Sequence, residues 1–167
     1  MQITESVNAP LATSHSKLIR RWVRPGLTAG AAFLGFEMLA GSFSTSVWAF
    51  PQAVAETIGI GVPTQPLAPV ALLAGIAIHL AFSVGLGILF IAIADRFSLT
   101  GKTLVAAGVL YMWAESAISI WLVLHTLVPD TLPVLLGAVP FWASFVGRTG
   151  FGVLLALMYA QQRTHAK

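Results

Sequence analysis

Four long apolar segments, separated by short polar ones, follow one another along this chain of 167 residues. They span residues 26–48, 68–94, 103–127 and 141–159. A helix of about 20 residues crosses a hydrocarbon core about 30 Å thick. The pattern therefore predicts an all-α membrane protein, with a four-transmembrane-helix bundle over residues 26–161 that can be divided into two tandem helical hairpins.

Polar segments flank this bundle at both ends. Residues 1–16 hold too few apolar side chains for a core, so we expect a disordered tail. Residues 17–25, KLIRRWVRP, carry four cations and suit a basic collar at the membrane surface. Residues 162–167 form a second polar tail. The first 25 residues lack an apolar core of their own, so we expect no cleaved secretory signal and a first span that stays as an anchor.

Two of the connections between spans are rich in proline. The sequence FPQAVAETIGIGVPTQPLAP at residues 50–69 predicts a loop with one short interfacial helix near Gln52–Ile58. The later connection, VPDTLPVLLGAVP, has prolines at positions 129, 133 and 140, which argue against a continuous helix. Because its centre is apolar, we expect it to lie in the membrane interface or to pack over the bundle.

The positive charges that flank the four spans all fall on one side of the membrane. They are Lys17, Arg20, Arg21, Arg24, Arg96, Lys102, Arg163 and Lys167. The charged residues of the two other loops are Glu56 and Asp130. Short loops rich in Lys and Arg stay in the cytoplasm. The sequence therefore predicts that both termini are cytoplasmic.

Composition agrees with a membrane protein and excludes other classes. The chain is 57% hydrophobic and 9% charged, with a mean hydropathy of +0.85, whereas soluble domains are about 25% charged. Its pI near 9.8 does not indicate a nucleic-acid partner, because the cations lie beside apolar spans rather than on a polar face. The absence of cysteine excludes disulfides, thiolate metal sites and a cysteine nucleophile.

Small and aromatic residues predict where helices pack and where the membrane surface lies. Glycines let helix backbones approach closely in a bilayer, and the candidates for packing are Gly26, Gly30, Gly35, Gly85, Gly87, Gly147, Gly150 and Gly152. Tryptophan prefers the interface, and the predicted anchors are Trp22, Trp48, Trp121 and Trp142.

The two halves of the chain resemble each other. SVGLGILFIAIADR and RTGFGVLLALMYAQ align without gaps and place two glycine pairs in register. A duplication would give parallel repeats related by an axis along the membrane normal. Chance similarity between apolar segments rich in small residues explains the same pattern.

Four ionisable residues lie well inside the predicted spans, namely Glu37, His79, Glu115 and Arg148. At a rise of about 1.5 Å per residue, Glu37 and Glu115 lie about 16–18 Å from the cytoplasmic edge, and His79 and Arg148 lie about 11–16 Å from the outer edge. We therefore expect all four to meet near the midplane. Because a lone arginine is costly there, we expect Arg148 to pair with Glu115, and Glu37 to pair with His79.

This cluster has several possible roles. The pairs can serve only to lock the helices together, or the cluster can form a proton or ion relay or a small polar-substrate site. A metal site of Glu37, His79 and Glu115 lacks supporting ExxH or HxxxH spacing. A haem lacks a second histidine at similar depth. We predict no metal and no cofactor.

The second span contains the sequence HLAFSVGLGILFIAIADRF at residues 79–97, with His79, Phe82, Ser83, Ala94, Asp95 and Phe97 at characteristic positions. Through these residues it resembles the corresponding helix of small bacterial inner-membrane proteins of the YagU type. It implies a multi-pass protein of the bacterial inner membrane, in a family without an assigned reaction.

Three functions remain open at this point. The first is a non-catalytic accessory or structural subunit of a larger bacterial membrane complex, whose partners are lipid and other membrane subunits or further copies of the chain. The second is a small transporter or channel with a site at the midplane. The third is an intramembrane enzyme acting on a lipid or quinone. The sequence contains no phosphate-binding loop and no hydrolase motif.

Overall fold

A computed structural model describes residues 21–60, 67–124 and 132–165, which are helical apart from short turns. The helices are α1 (Arg24–Gly41), α2 (Ala49–Glu56), α3 (Pro69–Arg96), α4 (Gly101–Ile118), α5 (Leu132–Gly137) and α6 (Phe141–His165). A π-helical segment, Ser119–Leu124, continues α4. The predicted all-α class is confirmed for these residues.

Three helices have the length and apolar composition of membrane spans, as expected of a multi-pass membrane protein. They are Pro69–Arg96, Gly101–Trp121 and Phe141–Thr164. The first predicted span differs, because α1 ends at Gly41 rather than near Trp48. A turn follows in which the Ser42 N–H donates to the carbonyls of Met38 and Leu39, and the chain then enters α2.

The helix ends follow from local sequence. Pro25 and Pro69 lie in the first turns of α1 and α3, where the missing N–H of proline has no helical partner to lose. The short turn between α3 and α4 places Ser98 and Gly101 at positive φ, 50° and 52°. We call this end of the bundle the turn end, and the opposite end the α2 end.

The four long helices pack side by side in the order α3, α1, α6, α4. Gly26 and Gly30 of α1 face Ser83 and Gly87 of α3, so closely that a side chain at either α1 glycine would collide with α3. On the other side of α1, a Cβ at Gly147 of α6 would lie 2.6 Å from the Phe33 ring. These contacts place α1 in the interior of the bundle, between two longer helices.

Two further glycines that the sequence did not single out are essential to the packing. Gly108 of α4 faces Gly152 of α6, with each glycine against the backbone carbonyl of the other. Gly75 of α3 faces the carbonyl of Pro51, so α2 lies directly on α3. This close approach lets the short helix reach inward from the α2 end.

Three of the predicted packing glycines do not stand at a helix contact. No described atom lies within 4 Å of where a Cβ would be at Gly35, Gly85 or Gly150. Gly85 and Gly150 lie two residues from the packing glycines Gly87 and Gly152, which is about half a helical turn, so they face the opposite side of their helices. Gly35 lies five residues from Gly30, which also turns it away from the face that packs. Sequence spacing identifies a glycine-rich helix but not the glycines that face a neighbour.

At the turn end, polar side chains tie three segments together. Asp95 accepts hydrogen bonds from Tyr159 of α6 and from Arg21, whose Nη2 lies 2.6 Å from Oδ2. Arg163 donates to the carbonyl of Leu99 at 3.1 Å. Arg21–Asp95 is the one salt bridge within the described part of the chain. The two segments of the predicted repeat differ at this position, because α6 has no acidic residue equivalent to Asp95 of α3.

The connections agree in part with their predictions. A short helix forms near the predicted position Gln52–Ile58, as α2, Ala49–Glu56, and the later proline-rich connection contains the short α5. Three of the predicted anchors, Trp48, Trp121 and Trp142, are exposed on the bundle, and Trp22 is half-buried. The predicted tail at residues 1–16 and residues 17–20 of the basic collar lie outside the described residues.

Candidate functional site

A cavity of about 390 Å³ lies between α3 and α4, towards the α2 end of the bundle. Its walls are mostly apolar and include four phenylalanines, Phe33, Phe50, Phe82 and Phe151. Polar groups enter it from three different helices: His79 and Ser83 from α3, Glu115 and Ser119 from α4 and its π-helical extension, and Arg148 from α6. The volume falls in the range typical of small-molecule sites, about 300–1,000 Å³.

The α3 and α4 helices contact each other in the halves nearer the turn that joins them. The hydroxyl of Tyr111 donates to the carbonyl of Leu86 at 3.0 Å, and the Tyr111 and Phe90 rings are 5.6 Å apart. The cavity lies beside and beyond this contact, towards the α2 end. Phe82, at the edge of the cavity, is 55% exposed, so the cavity opens sideways between the helices.

His79 is anchored in the wall. Its Nε2 lies 3.2 Å from the carbonyl of Gly30 and 3.5 Å from the Ser83 hydroxyl. The imidazole also contacts the rings of Phe33 and Phe50, at centroid distances of 5.3 and 5.5 Å. Because Nε2 donates to a backbone carbonyl, the imidazole ring is held in place between α1 and α2. His79 therefore presents its polar group to the cavity from a fixed position.

Glu115 lies where α4 changes to a π-helix. The Ser119 hydroxyl donates to its Oε1 at 2.5 Å, and Ser119 is the first residue of the π-helical segment. π-Helical segments are rare and are frequently found at functional sites. Ser119 is four residues beyond Glu115, a spacing visible in the sequence, but only the structure shows that both line a cavity.

Arg148 reaches the same cavity from α6 and is half-buried. Within the described residues its guanidinium has neither a hydrogen bond nor a carboxylate within 4 Å. It interacts electrostatically with Glu37 and with His79. An arginine inside an apolar bundle normally has a hydrogen-bonded or ion-paired partner. Because Arg148 has neither among the described residues, its guanidinium is available to bind a ligand.

Glu37 lies behind the cavity wall rather than in it. Its side chain is 0% exposed, and neither carboxylate oxygen has a hydrogen-bond partner among the residues that the structure describes. A Cβ at Gly147 would lie 3.0 Å from its Oε1, and the next residue of α6 is Arg148. Ser144 approaches the carboxylate without hydrogen-bond geometry. Glu37 is therefore enclosed between α1 and α6 beside the arginine.

The structure brings the four predicted residues to one region but does not pair them as expected. Glu115 bonds to Ser119 and not to Arg148, and His79 bonds to Gly30 and not to Glu37. Both expected pairs were inferred from helix order and depth, which do not fix the direction of a side chain around the helix axis. Arg148 instead interacts with Glu37, its neighbour across the α1–α6 contact.

In the described ranges, no three His, Asp or Glu side chains come together as metal ligands do. The arrangement is instead that of a small polar site with an apolar lining. It offers a guanidinium, a carboxyl group, an imidazole and the hydroxyls of Thr57, Ser83 and Ser119. Comparisons with protein-family models, curated proteins and solved structures give no match to this chain.

Proposed function

We propose that all four long helices cross the bacterial inner membrane and that both termini lie in the cytoplasm. The 18 residues of α1 extend about 27 Å at about 1.5 Å per residue, close to the thickness of a hydrocarbon core. The polar Glu37 does not oppose this assignment, because it is enclosed by protein. The turn end carries the flanking cations and therefore faces the cytoplasm under the positive-inside rule.

Single cysteines test this topology directly, because the chain has none of its own. Lys102→Cys lies at the turn end and Ile60→Cys at the α2 end. In inverted inner-membrane vesicles, we expect an impermeant maleimide to label Lys102→Cys and not Ile60→Cys, with the reverse in spheroplasts. Labelling of both from the same side would contradict the four-span arrangement.

We further propose that the chain is a small transporter whose substrate occupies the cavity between α3 and α4. The observation that carries this proposal is the convergence of His79, Glu115 and Arg148, from three helices, on one cavity inside an apolar bundle. Ionisable groups at membrane depth are costly and mark substrate or ion pathways. A purely structural role would favour direct pairing, whereas Glu115 and Arg148 lie in the same cavity without an ion pair.

Glu37 supplies the coupling to protons in this proposal. A fully buried carboxyl group without a hydrogen-bond partner is stable only when neutral or when paired with a cation. The charged group that acts on it is Arg148 on α6, which also acts on His79 of α3. Loss of the Glu37 proton creates a negative charge beside Arg148, and an occupied cavity changes how strongly Arg148 attracts that charge. Proton binding and substrate binding are therefore linked.

Purified protein in liposomes tests the transport proposal. The vesicles contain a pH-sensitive dye, and a sugar, a monocarboxylate, an amine and an amino acid are supplied outside in turn. We expect at least one solute to drive proton entry with the wild type and with Glu56→Gln, a matched control outside the cavity. Glu37→Gln should remain folded and lose this proton entry. No signal above protein-free vesicles with any of the four would contradict transport.

An accessory-subunit role is the second candidate, and the surface of α4 favours it. The α4 span buries less of itself inside the chain than the α3 and α6 spans do. Leu110, Trp113 and Ile118 are exposed on it, and such a surface suits either lipid or a neighbouring subunit. Extraction in mild detergent distinguishes the two, because a subunit should co-purify with larger partners in fixed stoichiometry. Recovery only as a monomer or homo-oligomer would contradict this role.

A further inference from the structure

Glu115 and Arg148 lie within about one helical turn of each other along the bundle axis. The α4 and α6 backbones meet at Gly108 and Gly152. Glu115 is seven residues beyond Gly108, which is about 10 Å along α4. Arg148 is four residues from Gly152, or about 6 Å in the same direction, because the two helices are antiparallel. Seven and four residues are both close to whole numbers of turns, so both side chains return to the faces on which the glycines meet.

The two opposite charges nevertheless remain apart. The carboxylate of Glu115 is held by Ser119, and no ion pair joins it to Arg148. Separated charges in an apolar site are costly, and a ligand that contacts both would relieve this cost. The ligand must carry an ammonium group for Glu115 and an anionic group for Arg148, a few ångströms apart.

The remaining walls define the rest of this ligand. Phe50, Phe82 and Phe151 and the side chain of Met112 surround the space next to the two charges. They provide an apolar, largely aromatic environment without further charge. At about 390 Å³ the cavity is near the lower end of the range for small-molecule sites, so it suits one compact apolar substituent.

We propose that the cavity binds a small zwitterion with an apolar substituent, with its ammonium group at Glu115 and its anionic group at Arg148. This inference rests on the proposed transport function and names its substrate class. Two sources supply such chemistry: a free apolar α-amino acid, and the headgroup of a zwitterionic lipid that enters through the lateral opening beside Phe82.

A charge series on the unmodified protein tests the inference without depending on any variant. The probes are L-phenylalanine, 3-phenylpropionate, which lacks the ammonium group, and phenethylamine, which lacks the carboxylate. Binding is measured by titration calorimetry on protein in phosphatidylglycerol nanodiscs. Each lost charge-assisted contact weakens binding by about 10- to 100-fold, so L-phenylalanine should bind at least about tenfold more tightly than either analogue. An analogue that binds as tightly as L-phenylalanine would overturn the inference.

Two variants then assign each charge to its partner. Glu115→Gln should remove the preference for L-phenylalanine over 3-phenylpropionate and keep the preference over phenethylamine. Arg148→Gln should do the opposite. Glu56→Gln and Arg96→Gln, which remove the same charges outside the cavity, should keep both preferences. Unchanged preferences in both cavity variants would overturn the assignment of the site.

Lipid composition separates the two sources. If a free amino acid is the occupant, the affinity for L-phenylalanine should be the same in phosphatidylethanolamine and phosphatidylglycerol nanodiscs. If the lipid headgroup is the occupant, phosphatidylethanolamine should compete and reduce that affinity, and glycerophosphoethanolamine should bind with the same dependence on Glu115 and Arg148. Charge-selective binding without flux in liposomes would overturn the transport proposal alone, whereas flux without charge selectivity would overturn the zwitterion inference alone.

Discussion

Replacing Gly75 by alanine tests whether α2 rests directly on α3. A Cβ at this position would stand against the carbonyl oxygen of Pro51, 2.5 Å from its carbonyl carbon and 3.2 Å from its Cα. All three are backbone atoms, so no side-chain rotation can relieve the collision. Restoring an ordinary contact of 3.4 Å to that carbon alone requires α2 to move by about 0.9 Å, and the carbonyl oxygen, which lies closer still, requires a larger movement. Phe50, the residue before Pro51, would move with it and away from His79.

The magnitude follows from a matched comparison within one helix. Gly85 also lies on α3, but nothing stands within 4 Å of its Cβ position. Both alanine variants gain about 1 kcal/mol of helix propensity, so the difference between them isolates the overpacking at Gly75. Overpacking costs about 1–3 kcal/mol, and the rigid partner places Gly75→Ala at the upper end.

Thermal unfolding in detergent, followed by circular dichroism, measures this difference. For a chain of this size, 1–3 kcal/mol corresponds to about 2–12 °C in Tm. We expect Gly75→Ala to melt below the wild type and Gly85→Ala at or above it. Equal Tm values for the two variants would refute the close contact between α2 and α3 and, with it, the wall that α2 provides to the cavity.

Three further outcomes follow from the packing and the polar contacts. Gly108→Ala should lower stability by about 1–3 kcal/mol, because its Cβ meets the α6 backbone, whereas Gly150→Ala should not; identical melting curves would contradict the α4–α6 contact. Tyr159→Phe should cost about 1.5 kcal/mol, because it removes the hydroxyl that donates to Asp95, and unchanged unfolding would show that this bond contributes nothing. Glu37→Gln should leave Tm unchanged or higher, because it replaces a buried carboxyl group that lacks a hydrogen-bond partner; a large loss of stability would instead indicate a structural ion pair with Arg148.

Hydrophobic patterning predicted the helical class, because long apolar segments in a bilayer must satisfy their backbone hydrogen bonds internally. It also located the starts of α3, α4 and α6 to within two residues, but α6 continues to His165, through residues predicted as a polar tail. It extended the first helix too far, since residues 42–48 are apolar enough for a span but form a turn before α2. Apolar character therefore fixes which segments enter a membrane better than where a helix stops inside it.

The candidate site was predictable as a set of residues but not as an arrangement. Burial cost alone draws attention to Glu37, His79, Glu115 and Arg148, and three of these line one cavity. Which of these residues contact each other depends on how each helix is rotated about its own axis. The sequence does not show this rotation when a helix is apolar on nearly every face. The hydrogen bond from Ser119 to Glu115 is made where the π-helical segment begins, and the sequence does not predict that segment.

If a substrate occupies the space between α3 and α4, that space is an aqueous site rather than a gap filled by lipid. Leu86 lines the cavity about 15 Å along α3 from Arg96, at about 1.5 Å per residue. Leu89 lies one turn nearer the turn end, outside the cavity lining, and is 53% exposed.

The most direct measurement compares the thiols of Leu86→Cys and Leu89→Cys in membranes, using a small, charged, impermeant methanethiosulfonate. We expect Leu86→Cys to react and Leu89→Cys, in contact with lipid, not to react. Equal protection of both thiols, or reaction at Leu89→Cys alone, would contradict it.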